Sequence, residues 1–271
     1  FLDLPLLTGD EDEISPHFAT TASPWPGGVN LFSSPSENGF SFNTGVSQSA
    51  VIGMTESELV KTEPSLWDMG SRLRVRLANG TLSSASKEAV LNGANVIAIG
   101  NSSTNNWEII QFATASLIDT DTYELSGLLR GQQGTDAYIP DFWQTGSYAV
   151  LLDGTVPQLN LASSSRNLAR YYRYGPSTRS FDHASYVEEY LAFAGVGLRP
   201  YRPSHLSASF DQNSNVTTSW VRRTRIDGDN WQAADVPLGE TSEAYHVRVL
   251  RDGSLVREVD LTVPNWTYSQ A

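Results

Sequence analysis

Carboxylate side chains are the first candidates for chemistry in this sequence. Residues 10–13 read Asp-Glu-Asp-Glu, and hard carboxylate oxygens of this kind bind calcium or magnesium. The spacing matches no calcium loop, however, and acidic runs more often form solvated loops. Asp119 with Asp121, and Asp227 with Asp229, are pairs two residues apart. We interpret both pairs as turn residues that cap their own backbone, rather than as a general acid and base.

No other residues have the spacing of a reaction centre. Cysteine is absent, which excludes thiolate metal sites and a cysteine nucleophile. The four histidines, none at ligand spacing, are His17, His183, His205 and His246. The chain has no Gly-x-Ser-x-Gly turn, although a serine triad assembled from distant residues stays open as an alternative. We therefore predict that the protein is not an enzyme and has no catalytic, cofactor-binding or metal-binding residues.

Residues 127–134 contain three glycines and Arg130, and they superficially resemble a phosphate-binding loop. Such a loop needs a strand before it, a helix after it and usually a Lys-Ser or Lys-Thr end, and those parts are missing. We expect the glycines to adopt positive φ angles in a bulged turn. Arg130 is expected to reach a carboxylate or a backbone carbonyl across a domain contact.

Strand signals dominate the chain, so we predict a mainly β protein. Residues 72–77 alternate between Arg and apolar side chains and precede Asn79 and Gly80, which favours a tight hairpin. The strand pattern recurs in residues 96–99, 107–112, 123–129 and 148–152, at intervals typical of the strands of a β-barrel or β-sandwich. Residues 86–91, followed by Asn-Gly, predict one short helix. Residues 159–174 are ambiguous, and the run of tyrosines at 171–174 favours a strand.

The organisation predicted from these patterns has three parts. Residues 1–60 form a strand-rich segment, 61–200 a β-barrel-like domain with extended insertions, and 204–271 a domain like a fibronectin type III or immunoglobulin sandwich. Two prolines within 198–204 indicate the linker before it. In the last part we predict strands at 205–210, 216–225, 244–250 and 255–261, a turn at Asp252 and Gly253, and Trp220 in the core. Residues 266–268 resemble the penultimate strand, so we expect this sandwich to be incomplete and the chain to be a fragment of a larger polypeptide.

The net charge of −12 is concentrated in the first half of the chain. Residues 1–150 carry 17 acidic and 6 basic side chains, a net charge of −11. Such a surface repels phosphates, so we predict no specific nucleic-acid binding. No apolar run approaches the ~20 residues that span a bilayer, so we predict no membrane-spanning segment.

Seven tryptophans suggest a different class of function, a sugar-binding module, because pyranose rings stack on exposed indoles. Trp25 and Trp143 are the two that we expect to be exposed. The alternative is that the tryptophan side chains serve packing and bind no sugar. In that case Trp67, Trp107, Trp220 and Trp266 lie in cores and the others are buried at interfaces.

Five segments of the sequence together resemble one protein family. They are DLPLL at 3–7, PWPGG at 24–28, LLRGQQGT at 128–135, VGLRP at 196–200 with PSHL at 203–206, and WVRRTRIDGD at 220–229. In these segments and in their order the chain is similar to the C-terminal region of the tail-hub, or "megatron", protein of gene transfer agents and related siphophages.

The resemblance implies a structural hub of barrel-like domains followed by a fibronectin-like domain. It implies a homotrimer on the tail axis, in contact with the distal tail protein and other tail-tip proteins, located in the virion and assembled in the bacterial cytoplasm. DNA then passes through the assembly, and an acidic surface facing that conduit would not retain it. The alternatives are a module that binds a host-surface glycan and a glycan hydrolase with two carboxylates roughly 5 to 10 Å apart.

Overall fold

The computed structural model describes residues 1–64, 66–101, 106–228 and 235–269. In it, 42% of the residues lie in strands and 6% in helices, which confirms the prediction of a mainly β protein. The chain divides into two compact units, Phe1–Arg199 and Pro200–Ala271. No helix in the described ranges is both long and apolar enough to cross a lipid bilayer.

The first unit contains strands β1 to β13 and one short α-helix, α1. The strands are β1 Val29–Ser34, β2 Ser41–Val46, β3 Ile52–Thr55, β4 Leu59–Val60, β5 Trp67–Asp68, β6 Leu73–Leu77, β7 Val96–Asn101, β8 Asn106–Asp119, β9 Thr122–Gln132, β10 Phe142–Trp143, β11 Tyr148–Leu151, β12 Arg170–Pro176 and β13 Val187–Leu191. The helix is α1 Lys87–Leu91. Short 3-10 turns at Thr135–Tyr138, Ser163–Ser165 and Val196–Leu198 complete the unit.

Six antiparallel strands close into a barrel in the order β9, β6, β3, β11, β7, β8 and back to β9. In β6, Leu73, Val75 and Leu77 are buried and alternate with exposed arginines, as a strand with one face inside a barrel requires. The interior is filled by side chains from all around the ring, among them Ile97, Ile99, Ile110, Phe112, Leu125 and Leu128. A barrel this narrow is therefore a packed core and not a channel.

A second sheet has the order β13, β12, β1, β2, and its inner face packs on Phe18, Leu159 and Phe193. The N-terminal segment joins the two parts of the unit, because Leu2 forms backbone hydrogen bonds with His17 while its side chain packs on the barrel wall near Trp107 and Ile109. We predicted that residues 1–60 and 61–200 form separate parts. In the structure, residues 1–60 supply β3 to the barrel and β1 and β2 to the second sheet. Both ranges fold into one unit.

The hairpin predicted after residues 72–77 is wrong. β6 pairs with β3 and β9, neither of which follows it directly, although Gly80 does have a positive φ of 81°. The helix prediction is confirmed, with Ser86 accepting a hydrogen bond from the Ala89 amide as the N-cap. The strands predicted at 96–99, 107–112, 123–129 and 148–152 are confirmed as β7, β8, β9 and β11. The tyrosine run lies in β12 as predicted.

The second unit contains five strands, β14 Ser204–Phe210, β15 Val216–Val221, β16 Tyr245–Arg251, β17 Ser254–Leu261 and β18 Asn265–Tyr268. β14, β15 and β18 form one sheet, and β16 and β17 form a hairpin whose turn is Asp252 and Gly253, as predicted. Trp220 is buried, also as predicted. β18 pairs with β15, in the sheet that also contains β14. In an immunoglobulin-type sandwich the penultimate strand lies in the sheet opposite the first two strands. The interpretation of residues 266–268 as the penultimate strand is therefore wrong.

Candidate functional site

The glycine-rich segment 127–134 surrounds a buried ion pair in the barrel wall. Arg130 on β9 is fully buried, and its Nε and Nη2 donate to the two carboxylate oxygens of Glu108 on β8 at 2.7 and 2.9 Å. Its Nη1 donates to the Val60 carbonyl at 2.9 Å. Glu108 also accepts from the Gly131 amide at 3.0 Å and from the Trp143 indole at 2.6 Å. The Glu108 carboxylate thus accepts four hydrogen bonds, which makes the cluster a structural clamp between β8 and β9.

The three glycines of this segment have the predicted positive φ angles, but the predicted bulged turn is wrong for Gly127 and Gly131, which lie within β9. Gly127, Gly131 and Gly134 have φ angles of 61°, 60° and 76°. Arg130 does reach a carboxylate and a carbonyl, yet both partners lie within the Phe1–Arg199 unit rather than across a domain contact. Sequence reasoning missed Glu108 as its partner, since that pairing depends on the register of β8 against β9.

The acidic run 10–13 forms a loop whose carboxylates bind neighbouring backbone amides. Glu11 accepts from the amides of Thr8 and Gly9 at 2.9 and 3.0 Å, and Asp12 accepts from the Ile14 amide at 3.0 Å. Among the residues that the structure describes, no three His, Asp or Glu side chains are grouped as a metal ion would need.

The two aspartate pairs differ in how much of them is described. Asp119 accepts from the Thr120 amide at 2.7 Å, and Asp121 has a φ of 53°, in the turn between β8 and β9. This is the turn role that we predicted. Asp227 also has a positive φ of 51°, whereas Asp229 lies outside the described residues.

The four histidines do not converge. His183 Nδ1 is 2.8 Å from the Ser185 hydroxyl, and His246 Nδ1 is 2.7 Å from the Asp260 carboxylate, which raises the pKa of this exposed imidazole. His205 is the second residue of β14 and has a φ of 51°. His17 alone is buried, between the N-terminal segment and the barrel.

The expectation that Trp143 is exposed is wrong, because it is 6% exposed and bound to Glu108. Trp25 is half-buried, and its indole donates to the Ser47 carbonyl. Trp107 and Trp220 are buried as expected, and Trp67 and Trp266 are half-buried. The seventh tryptophan, Trp231, lies outside the described residues.

A cluster of aromatic rings covers the outer face of the second sheet, opposite the buried side chains of β1 and β12. We call it the aromatic face. Its members are a connected group of rings and a separate pair: Phe32, Phe40, Phe42, Phe181 and Tyr186 in the group, and Tyr171 with Tyr190 in the pair. Phe181 lies 5.0 Å from Phe32 between ring centroids, and the Arg173 guanidinium stacks 4.5 Å above Phe181. The rings of Tyr171 and Tyr190 are 4.5 Å apart.

Part of the aromatic face is open to solvent, since Phe42 is 60% and Tyr190 59% exposed. On the inner face of the same sheet Tyr172 is fully buried, and burial raises its pKa to about 12. Sequence reasoning missed this surface. Its signal was present in β12, where consecutive tyrosines must point to opposite faces of the sheet.

Comparison with known proteins identifies one similarity. Residues 50–150 match the model of the family "Rcc01698-like, C-terminal", which is associated with gene transfer agent proteins. The matched range runs from just before β3 to Val150 in β11, and so contains the six strands of the barrel except for the last residue of β11. No curated protein matches the chain.

Proposed function

We propose that this chain is a structural component of the tail tip of a siphophage or gene transfer agent, where it joins the tail tube to the host-facing tip and supports DNA delivery. The observation that carries the proposal is the match of the whole barrel to the Rcc01698-like family. In this proposal the chain is not a catalyst and acts through rigid surfaces that pack on neighbouring subunits.

Two structural features support a role in assembly. The barrel is rigid, because its interior is filled and the charges of Arg130 and Glu108 satisfy one another. The aromatic face offers large side chains with few rotatable bonds, and arginine and tyrosine are enriched where protein surfaces meet.

We further propose that the chain forms a homotrimer on the tail axis, in contact with the distal tail protein and other tail-tip proteins. Because the barrel is filled, the DNA conduit would lie between copies of the chain and not through a barrel. An acidic first half lining that conduit would let DNA pass without binding it.

The decisive experiment is to locate the chain in an intact particle by electron cryomicroscopy. We expect three copies around the tail axis, with the aromatic face against another subunit. A single peripheral copy, or a chain missing from the purified particle, would refute the assembly role. The native mass of the full-length polypeptide, expected to be that of three chains, provides an independent measurement.

A second candidate function is recognition of a host-surface glycan, favoured by the exposed ring of Tyr190 beside Tyr171. A glycan array probed with the full chain tests it. Binding that is lost in Tyr190→Ala and kept in Tyr138→Ala would support recognition, since Tyr138 is 41% exposed but lies outside the aromatic face. Absence of binding to any glycan would leave assembly as the role of this surface.

A further inference from the structure

Asparagine followed by glycine occurs three times in the sequence, at Asn38–Gly39, Asn79–Gly80 and Asn92–Gly93. In this dipeptide the backbone nitrogen of the glycine can attack the asparagine side chain, because glycine has no Cβ to hinder the approach. The structure gives the three sites different surroundings. The first lies in the loop between β1 and β2, which also carries Phe40 of the aromatic face.

The backbone carbonyl of Asn38 accepts hydrogen bonds from two hydroxyl groups. Ser34 Oγ donates to it at 2.6 Å and Ser36 Oγ at 2.9 Å. Ser34 is 1% exposed, and its hydroxyl also accepts from the Ser36 amide at 3.2 Å, which leaves its proton for Asn38. When the Gly39 nitrogen loses its proton, resonance places negative charge on this same carbonyl oxygen. Both hydroxyls therefore lie where charge develops during the attack.

The two groups that react are themselves accessible. Asn38 and Gly39 are both exposed. Within the described ranges, neither the Asn38 side chain nor the Gly39 amide forms a hydrogen bond. A Cβ added at Gly39 would meet nothing within 4 Å, so no other part of the chain crowds this nitrogen. The side-chain amide can therefore turn towards the nitrogen that attacks it.

The other two asparagine–glycine sites lack this combination. Asn79 donates through Nδ2 to Ser49 Oγ at 2.6 Å, which holds its side chain in place. At Asn92 the amide of Gly93 donates to the Val90 carbonyl at 3.0 Å, which engages the nitrogen that would have to attack. In the part of the chain that the structure describes, no hydroxyl donates to the backbone carbonyl of either asparagine.

We propose that Asn38 is a self-modification site, where the folded chain promotes conversion of the asparagine to aspartate and isoaspartate. The Gly39 N–H gives its proton to water or hydroxide, and the nitrogen forms a bond to the Asn38 Cγ. The Cγ–Nδ2 bond then breaks, and Nδ2 takes up a proton and leaves as ammonia, which completes a succinimide ring. Water adds to one of the two ring carbonyls and opens the ring, leaving a carboxylate. Because only water takes part, the reaction is independent of the proposed assembly role.

The product changes the charge beside the aromatic face. The preceding residue, Glu37, accepts from the Tyr171 hydroxyl at 3.3 Å, and Phe40 follows two residues after Asn38. A carboxylate at position 38 places a second negative charge next to Glu37, and isoaspartate also adds one carbon atom to the backbone. The loop that carries Phe40 thus differs in charge and length between fresh and aged chains.

The test incubates the full chain at neutral pH and measures deamidation at each of the three sites by peptide mass spectrometry. In the folded chain we expect Asn38 to convert about tenfold faster than Asn79 or Asn92, as a hydrogen bond to a charged oxygen allows. In concentrated urea the three rates should become similar, because all three sites then have the same local sequence chemistry and no fixed surroundings.

Serine variants test the two hydroxyl donors. Ser34→Ala should slow conversion of Asn38 about tenfold, since it removes a donor to the charged oxygen. The matched variant Ser41→Ala should leave the rate unchanged, because the Ser41 hydroxyl donates to the Ser33 carbonyl instead. If Ser34→Ala disrupts the loop, Ser36→Ala serves as the second variant and should slow the reaction by a smaller factor, since water can replace this exposed donor.

Three results would overturn the proposal. The first is conversion of Asn38 no faster than that of Asn79 and Asn92 in the folded chain. The second is an unchanged rate in both Ser34→Ala and Ser36→Ala. The third is cleavage of the chain after Asn38 in place of deamidation, because Nδ2 and not the Gly39 nitrogen would then be the nucleophile.

Discussion

The two units of this chain are built from similar alternating strands but bury them very differently. In the barrel, Leu73, Ile99 and Leu125 are completely buried. In the Pro200–Ala271 unit, Leu206 and Phe210 on β14 are each 77% exposed, and Trp220 is the one aromatic side chain that the described part of the unit buries. An alternating pattern therefore predicts that a strand has an apolar side, but not that another element covers it.

The difference in side-chain burial arises because the barrel strands form a closed ring. Each barrel strand pairs on both sides, so the ring has no free edge and its inward side chains meet one another. The second unit consists of a three-stranded sheet and a two-stranded hairpin, and each has two unpaired edges within the described ranges. We expect substitutions to affect stability in proportion to this difference.

The largest effect is expected at the buried ion pair. Arg130→Met leaves Glu108 charged and unpaired inside the barrel, and should cost about 3 to 5 kcal/mol of unfolding free energy. Native-state hydrogen exchange of the full chain measures this loss separately for the amides of each unit. A combined Arg130→Met and Glu108→Leu variant should recover only part of the loss, since Asp68, 3.9 Å from Arg130, still loses its cation and the Trp143 indole loses its acceptor.

Two arginines serve as controls for Arg130→Met. Arg225 in the second unit donates to Glu240 at 2.8 Å, but Glu240 is 28% exposed, so Arg225→Met should destabilise less. Arg74→Met, at a surface pair with Glu124, should cost at most about 1 kcal/mol. Equal losses of unfolding free energy in all three variants would show that the burial of an ion pair does not determine how much stability its removal costs.

The second largest effect is expected for a leucine pair. Leu125→Ala should cost about 2 to 5 kcal/mol, because it creates a cavity in a filled interior. Leu206→Ala should change stability by no more than about 0.5 kcal/mol, as exposed substitutions do. A large effect of Leu206→Ala that grows with protein concentration would show that self-association covers this face.

A smaller difference is expected between two glycines with positive φ. Alanine at either position costs about 1 to 2 kcal/mol for the left-handed conformation. At Gly131 the added Cβ would also lie 2.7 Å from the Asp136 Cα, whereas at Gly253 it meets nothing within 4 Å. Gly131→Ala should therefore lose more stability than Gly253→Ala in denaturant unfolding. An equal loss would mean that the Thr135–Tyr138 turn, which contains Asp136, can move away from β9.

These contrasts also show what the sequence could predict. The strands β7, β8, β9 and β11, the α1 helix and the positive φ angles of the glycines in residues 127–134 follow from local chemistry, and these were predicted. The Ser86 cap and the strands β1, β2, β3 and β13 were not predicted. Pairing was not, because the turn signal at Asn79 and Gly80 is local, whereas β6 finds its partners around a closed ring. For the same reason the type of partner for Arg130 could be predicted but Glu108 itself could not. The burial of His17 could not be predicted either, since it depends on the backbone pairing of His17 with Leu2.

The smallest predicted effect is that of pH on stability, and it has opposite signs in the two units. The pKa of His17 is lowered by burial below its ordinary 6.5, so the unfolded chain binds the proton more readily and the barrel unit should lose stability as the pH falls below 6.5. The pKa of His246 is raised, first by its hydrogen bond to Asp260 and also by Glu258, against Arg248. The second unit should therefore be most stable below pH 6.5 and lose that contribution as the pH rises through the folded pKa.

Hydrogen exchange at pH 5.5 and 7.5, corrected for intrinsic rates, measures both trends in one sample. The carboxyl groups with lowered pKa values, such as Glu11, titrate below this window and do not contribute. His17→Gln should reduce the pH dependence of the Phe1–Arg199 unit alone, and His246→Gln that of the second unit alone. Part of the dependence should remain in the first unit, because burial also lowers the pKa of the Phe1 amino group. If both units instead become less stable on acidification, the hydrogen bond to Asp260 does not raise the pKa of His246 in the folded unit. The predicted contrast between a buried and an exposed histidine is then wrong.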